Sequence, residues 1–346
     1  MKNISRSFGE KRAASGCLFG LALGDALAAP VEFIRDTRHI VAVYGPSGPA
    51  APEGNPALVT DDTQMALAVG EALVTTQPPF TAAALEGPLR EAFVAWLIHP
   101  DNNRAPGNTC LMACRNLQRG QVWQQATVPG SKGCGANMRV APVGLLPRTD
   151  PETRAGIAQF QAALTHGHPT ALAASDLTAF AITDLARGDE PAAALPSRLR
   201  AYAESQREIY REEWLGSLWQ RPGLTSPRDF IARGWEECLE TLDRLDAALS
   251  HPDRDTDPCL ATGEGWIAEE AFATGLLCFL LYPDDPVAAL RHATVTSGDS
   301  DSIACLAGAF AGAHHGVSAW PEEWCERIEY RERLAALGTH WDGGLG

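Results

Sequence analysis

Basic residues are scarce in this chain and nowhere gathered. Its 28 Lys and Arg stand against 43 Asp and Glu, a formal charge of −15, and no run of them exceeds a dipeptide. Phosphate backbones are neutralised by clustered cations, so this balance argues against a nucleic-acid surface. A phosphorylated small ligand would have to be held by backbone amides, a metal or isolated cations. Convincing strand alternation is missing too, as are the GxGxxG and GxxxxGK phosphate loops. The nine cysteines are an odd number without CxxC spacing, which suggests neither a disulfide framework nor a zinc ribbon. Cys17, Cys278 and Cys305 fall in apolar helical runs, where a cysteine serves as a small core residue, and this usage fits a reducing cytoplasm.

Two segments imitate membrane or export signals. The apolar run at 271–282 is too short to span a bilayer and directly follows Glu269 and Glu270, so it reads as a buried helix. At the N-terminus, basic residues precede GCLFGLALG and ALAAP, but the run is short, Asp25 interrupts it and Glu10 sits in what should be a basic region. No membrane association is expected, and the chain is expected to be cytoplasmic.

What is present is helical. An apolar content of 45% with 21% charged residues is a globular composition. After TDDT at 60–63, Met65, Leu67, Val69 and Leu73 give a buried stripe. After SGDSDS at 297–302, Ile303, Leu306, Ala307, Phe310 and Ala311 follow the i, i+3, i+4, i+7, i+8 spacing. The small residues Ala307, Gly308, Ala309, Ala311 and Gly312 permit close approach of a second helix. Further helices are expected near 12–28, 82–98, 109–119, 152–165, 168–187, 195–215, 228–249 and 267–282. Gly/Pro-rich loops at 45–56, 101–108, 128–135 and 261–266 punctuate them, and none reads as an interdomain linker. The expectation is one all-α domain over 12–340, monomeric, without internal repeats, preceded by a poorly ordered stretch at 1–11.

The two acidic clusters carry the chemistry. Each opens a helical pattern, and Asp, Ser and Thr are ordinary N-caps whose carboxylates complement the helix dipole. A cap needs one side chain, though, and crowded carboxylates repel unless a cation neutralises them. Asp61, Asp62, Asp299 and Asp301, with a hydroxyl from Thr60 or Ser302, are the hard oxygen donors that magnesium or manganese takes.

Other segments leave alternatives open. The glycines of 131–146 suit either a close-approaching ligand or a loop needing positive φ. Arg139 suits a phosphate or a buried ion pair. His166 and His168 make a poor zinc arrangement, and His166 suits a helix cap or a carbonyl contact. His314 and His315 suit the C-terminal dipole of the last long helix. Asp25 and Glu32, in an apolar setting, are each a hydrogen-bonded structural acid or a general base.

Read in order, GCLFGLALGDALAAPVEF, TDDTQMALAVGEAL, SKGCGANMRVAPVGLL, LTHGHPTALAAS, GEGWIAEEAFA and SGDSDSIACLAGAFAGA resemble the ADP-ribosylglycohydrolase family, which includes the hydrolase that reactivates dinitrogenase reductase. The resemblance spans residues 16 to about 316. It implies an orthogonal all-α bundle with a binuclear Mg²⁺ or Mn²⁺ site at the base of an ADP-ribose cleft. It also implies Thr60, Asp61, Asp62, Asp299, Asp301 and Ser302 as metal ligands, with Asp61 or Asp62 positioning a water. Glu32 matches an acid in a mobile loop beside the site, assisting proton transfer or gating access. Gly130, Ser131 and Gly133 match a diphosphate loop; Cys134 stands where some relatives have Asn; His166 and the 263–266 loop, with Gly265 and Trp266, match parts that hold the ribose and adenosine ends. The implied activity is hydrolysis of the anomeric bond of ADP-ribosylated proteins, releasing ADP-ribose. Arginine is the favoured linkage because GDALAAPVEF is closest to arginine-directed bacterial relatives. Serine or threonine linkage, other conjugates, a magnesium-dependent phosphohydrolase, and a non-catalytic crystallin-like module are the rivals.

Overall fold

The computed structural model describes residues 11–221 and 223–344. Its helices run α1 Ala13–Ala28, α2 Thr37–Tyr44, α3 Asp61–Thr75, α4 Ala82–Ile98, α5 Asn108–Gln118, α6 Trp123–Ala126, α7 Ala141–Gly144, α8 Pro151–Ala163 and α9 Pro169–Arg187. They continue as α10 Leu195–Gln206, α11 Glu212–Leu215, α12 Pro227–Ser250, α13 Cys259–Thr262, α14 Ala268–Leu281, α15 Pro286–Thr294, α16 Ser300–His315, α17 Glu322–Arg327 and α18 Arg331–Asp342. Among the described residues there are no strands, only isolated β-bridges. The fold is all-α.

Four helices start the same way. A capping side chain precedes a proline at the first helical position in Asp150–Pro151, His168–Pro169, Ser226–Pro227 and Asp285–Pro286. The proline lacks only an N–H that has no intrahelical partner anyway, and the cap satisfies another.

The seam between α1 and α16 is the tightest in the molecule. A Cβ on Gly16, Gly20 or Gly24 would lie 2.4, 2.2 or 2.0 Å from the carbonyl oxygens of Gly312, Gly308 and Ala304. These three glycines recur every fourth residue, so they form one ridge along α1. The two helices run antiparallel, backbone against backbone. The contact expected from the small residues of α16 is made, and α1 is the partner. Its effect is to set the C-terminal end of α1 beside the N-terminal end of α16.

Most expected helices are found within a residue or two. The pattern at 195–215 is not one helix, however: α10 ends at Gln206 and α11 begins at Glu212. Between them the chain turns inward to bury Arg211, whose guanidinium sits 2.8 Å from Glu152 and 3.7 Å from the fully buried Asp176. Helices α2, α15, α17 and α18 and the single-turn α6, α7 and α13 were not expected. Of the poorly ordered start expected at 1–11, residues 1–10 lie outside the described residues, while Lys11 donates to the carbonyls of Leu185 and Ala186 at 2.8 and 3.2 Å. Helix α1 with its 3₁₀ extension is long and apolar enough to cross a membrane by length and composition, yet 89% of that window is buried inside the molecule.

Candidate functional site

Three chain ends converge at one point: the end of α1, the start of α3 and the start of α16. Asp25, fully buried in the last turn of α1, joins the first two. Its carboxylate accepts from the Thr60 N–H at 3.0 Å, the Thr63 N–H at 3.1 Å and the Thr63 hydroxyl at 2.5 Å. It is therefore a structural acid that pins the N-terminus of α3. Thr60 caps that helix through Asp62 N–H at 3.3 Å and donates its hydroxyl to Asp301 Oδ2, also at 3.3 Å, which ties α3 to α16.

The remaining acids do something other than cap. Asp299 occupies the N-cap position of α16, but its side chain makes no capping bond. Asp62 Oδ2 is buried with no hydrogen-bond partner. Asp61 accepts only a long bond from Gly107 N–H, at 3.3 Å. Glu32, just past the 3₁₀ turn Ala29–Val31, closes the group: one oxygen each from Glu32, Asp299 and Asp301 lie within 4.8 Å of one another. Burying an uncompensated charge costs on the order of several kcal/mol per ion. Burial first, and the charge of Asp301 second, push the Glu32 carboxyl up to about 9 and Asp61 up to about 8. The same two causes raise Asp62 and Asp299 well above the usual carboxylate range. An orphaned oxygen, an N-cap that does not cap and an all-oxygen donor set fit hard divalent cations. The capping explanation accounts for Thr60 but leaves Asp61, Asp62 and Asp299 without a role.

These acids form the floor of a cleft of about 510 Å³. Its walls include Gly133, Cys134, Gly135, His166 and Trp266, with Phe33 and the start of α5 completing the lining. The 131–135 and 264–268 segments hold each other: Cys134 N–H donates to Trp266 O at 3.1 Å and Ala268 N–H to Lys132 O at 2.9 Å. Gly133 has φ −57° and none of the three glycines at 130, 133 and 135 has positive φ. Only Gly135 needs the space: a Cβ there would lie 2.7 Å from Cys110 Sγ and 3.1 Å from the His166 ring, whereas one on Gly133 would make ordinary contacts and one on Gly130 would meet nothing within 4 Å. His166 bonds Thr165 Oγ1 through Nδ1 at 2.8 Å, and burial drives its pKa well below the ordinary histidine value, so the imidazole is neutral. At the mouth, Phe33 stacks on Trp266 at 6.5 Å and Arg35 lies 4.9 Å above the indole.

Ser131 stands one layer behind the lining, with its hydroxyl 2.9 Å from that of Thr109. Gly265, at φ +81°, packs on Ile303 and Asp299. Ser302 is buried at the cleft wall and its backbone N–H donates to Asp301 at 2.9 Å. Gly130 faces a separate depression with His168 and Arg221. Arg139 serves neither of its two expected roles. It is fully buried, stacked 4.4 Å over Phe93, and donates to Gln161 and Thr165, with no carboxylate within 4.0 Å among the described residues. His315 meets Pro283 O, in the turn between α14 and α15, at 2.6 Å, and burial pushes His314 down to about 4, so both are structural but neither serves the dipole of α16 as expected. The sequence reading missed Gly107, Asn108, Thr109 and Phe33; the APGN stretch at 105–108 signalled a helix start but not its direction toward Asp61.

The ADP-ribosylglycohydrolase family model matches residues 9–342. The ADP-ribosylarginine hydrolase Tri1 of Serratia proteamaculans is 27% identical over 335 residues, covering 94% of this chain and 77% of the relative. The ADP-ribosyl-[dinitrogen reductase] glycohydrolase of Rhodospirillum rubrum is 26% identical, covering 92% and 90%. The ADP-ribosylhydrolase ARH3 of Homo sapiens is 27% identical, covering 92% and 91%. A solved ADP-ribosylglycohydrolase-related protein complex shares the fold with a TM-score of 0.65 at 23% identity, over 97% of this chain and 99% of that one.

Proposed function

Because the chain belongs to the ADP-ribosylglycohydrolase family and is an ADP-ribosyl hydrolase, we propose that it removes ADP-ribose from arginine side chains of modified proteins in a reaction that depends on two Mg²⁺ or Mn²⁺ ions. The observation that carries metal dependence is the buried group of Glu32, Asp61, Asp62, Asp299 and Asp301, in which Asp62 Oδ2 has no protein partner. Thr60, Asp61, Asp62, Asp299, Asp301 and Ser302 would hold the cations. When bound, these would supply Lewis acidity toward ribose hydroxyls and the attacking water.

The chain's own groups do the rest. Cleavage at the anomeric carbon develops oxocarbenium character, and the carboxylates on the cleft floor stabilise that positive charge. Asp61 or Asp62 orients the water. Glu32, which closes the acid group at the cleft floor, assists proton transfer to the departing nitrogen. The 133–135 segment receives the diphosphate: no Lys or Arg lines the cleft among the described residues, Arg35 standing only at its mouth, and Gly135 offers an N–H with no acceptor among them. The Trp266 and Phe33 rings offer a flat surface for adenine. Arginine linkage is supported by the ADP-ribosylarginine hydrolase activity of the Tri1 relatives, and the alternative of serine or threonine linkage predicts turnover of O-glycosidic rather than guanidine N-glycosidic conjugates.

Nine free cysteines support a reducing, cytoplasmic setting, and a main hydrophobic core that draws on helices from α1 to α18, with a smaller cluster around Ile40 and Ile303, supports a single domain over 12–340. Proteins ADP-ribosylated on arginine, serine or threonine, incubated with and without EDTA, test the reading. Release of ADP-ribose from arginine alone, lost in EDTA and in the Asp299→Asn/Asp301→Asn variant with its helical circular dichroism unchanged, is expected. Turnover retained in that variant would remove the metals from the mechanism.

A further inference from the structure

Lys132 lies in the cleft-wall loop but does not point into the cleft. Its ammonium is held from behind, 2.7 Å from Glu237 of α12 and in direct contact with Glu269 in the first turn of α14. Glu237 also accepts from Thr170 of α9 at 2.7 Å and faces Arg233 at 3.4 Å. Glu269 is almost wholly buried. Lys132 thus ties the loop to α12 and α14, and Glu237 carries the link on to α9. Its main chain is fixed as well, since Lys132 O accepts from Ala268 N–H, Gly133 bridges Ile267 and Cys134 N–H donates to Trp266 O.

We propose that Lys132 is a positioning residue: its ion pairs with Glu237 and Glu269 hold the 133–135 segment at the cleft wall, so that Gly135 N–H, which unlike those of Gly133 and Cys134 has no acceptor among the described residues, meets the ligand. The inference rests on the ADP-ribose reading of the cleft given above. Glycines are what make the anchor necessary. Gly130, Gly133 and Gly135 give the segment little side-chain packing of its own, and glycine backbone has the most freedom to lose on ordering. A half-buried ammonium paired with two carboxylates, one of them buried, supplies order from outside the cleft without placing a charge inside it. The Coulomb attraction of such a pair is screened less than that of a surface pair. Arginine at this position keeps both pairings, whereas methionine keeps only the stem.

Titration calorimetry with free ADP-ribose at saturating Mg²⁺ tests the assignment, with Mg²⁺ titrated separately into nucleotide-free protein. Lys132→Met is expected to weaken ADP-ribose by about tenfold, as a loss of preorganisation. Mg²⁺ affinity should be unchanged, because no acid of the floor touches Lys132. Lys132→Arg is expected to recover most of the loss. Should Lys132→Met fold poorly because Glu269 is left unpaired, the Lys132→Gln/Glu269→Gln variant removes both charges together and is expected to show the same selective loss. Undiminished ADP-ribose affinity in both, with the unsubstituted protein binding normally, overturns the role of Lys132 and leaves the activity standing. No ADP-ribose heat from the unsubstituted protein overturns both.

Discussion

Two buried aspartates show how one substitution takes opposite signs in different surroundings. Asp25 accepts from two backbone N–H groups and a hydroxyl. An Asn there presents only one oxygen and turns an N–H₂ toward a donor, leaving at least one donor unpaired at a cost of about 1–3 kcal/mol. Asp62 faces Asp61, Asp299 and Asp301 with an oxygen that has no donor. An Asn there removes a buried charge and offers its N–H₂ to neighbouring carboxylates. In EDTA, Asp25→Asn should lower the urea midpoint, and Asp62→Asn should raise the melting temperature by about 2–4 °C while abolishing the rise that Mg²⁺ produces. The pH trend follows from the raised carboxyls. A folded-state acid with a raised pKa contributes stability while protonated and loses it as pH climbs. Metal-free protein should therefore melt lower as pH rises from ordinary carboxylate values through about 8 for Asp61 and about 9 for Glu32, more shallowly in Asp62→Asn. A melting temperature that falls in Asp62→Asn without metal would show that the carboxylate is satisfied in a way its surroundings do not reveal.

Helices make the site precise, through a seam with almost no side chain in it. A Cβ on Gly308 would lie 1.9 Å from Gly20 O, a contact that only backbone movement relieves. Gly308→Ala is expected to force α1 from α16 at a cost of about 1–3 kcal/mol. It should also shift Asp299 and Asp301 relative to Asp61, so that folded Gly308→Ala protein shows a reduced Mg²⁺-dependent rise in melting temperature. An unchanged rise would mean that the α3 end of the site follows the movement. The small residues of α16 were legible in the sequence because periodicity exposes a helix face. Their partner was not read, because the apolar pattern of α1 is buried all round and only the spacing of Gly16, Gly20 and Gly24 marks the matching face. Elements were missed or merged for related reasons. Helix α2 buries only Ile40, too little for a stripe. The break between α10 and α11 answers to Asp176, which lies elsewhere in the chain, and no local pattern announces it. Asp61, Asp62, Asp299 and Asp301 were legible as donors because crowding of acids is visible in one dimension. Their convergence, and the use of Asp25 as a pin rather than a base, depends on contacts that only the fold supplies.

At the scale of the whole molecule, charge sets how the ligand arrives. The protein carries −15, the cleft floor is acidic and its lining holds no Lys or Arg among the described residues. ADP-ribose is itself an anion. Clefts lined by one sign of charge focus the field, and here the field opposes approach until the ligand is within reach of bound cations and backbone N–H groups. Added salt shortens the screening length from about 30 Å at 0.01 M to about 8 Å at physiological ionic strength, which weakens the long-range repulsion while sparing contacts inside the cleft. With Mg²⁺ saturating at every point, kcat/KM for an ADP-ribosylated protein should therefore rise, by roughly two- to fivefold, as KCl increases over that range. An enzyme that steers its anionic substrate with cations loses rate under the same screening. A fall in kcat/KM with salt would mean that the cations bound at the floor outweigh the protein's own charge at long range, and the net field at the cleft mouth would then be attractive.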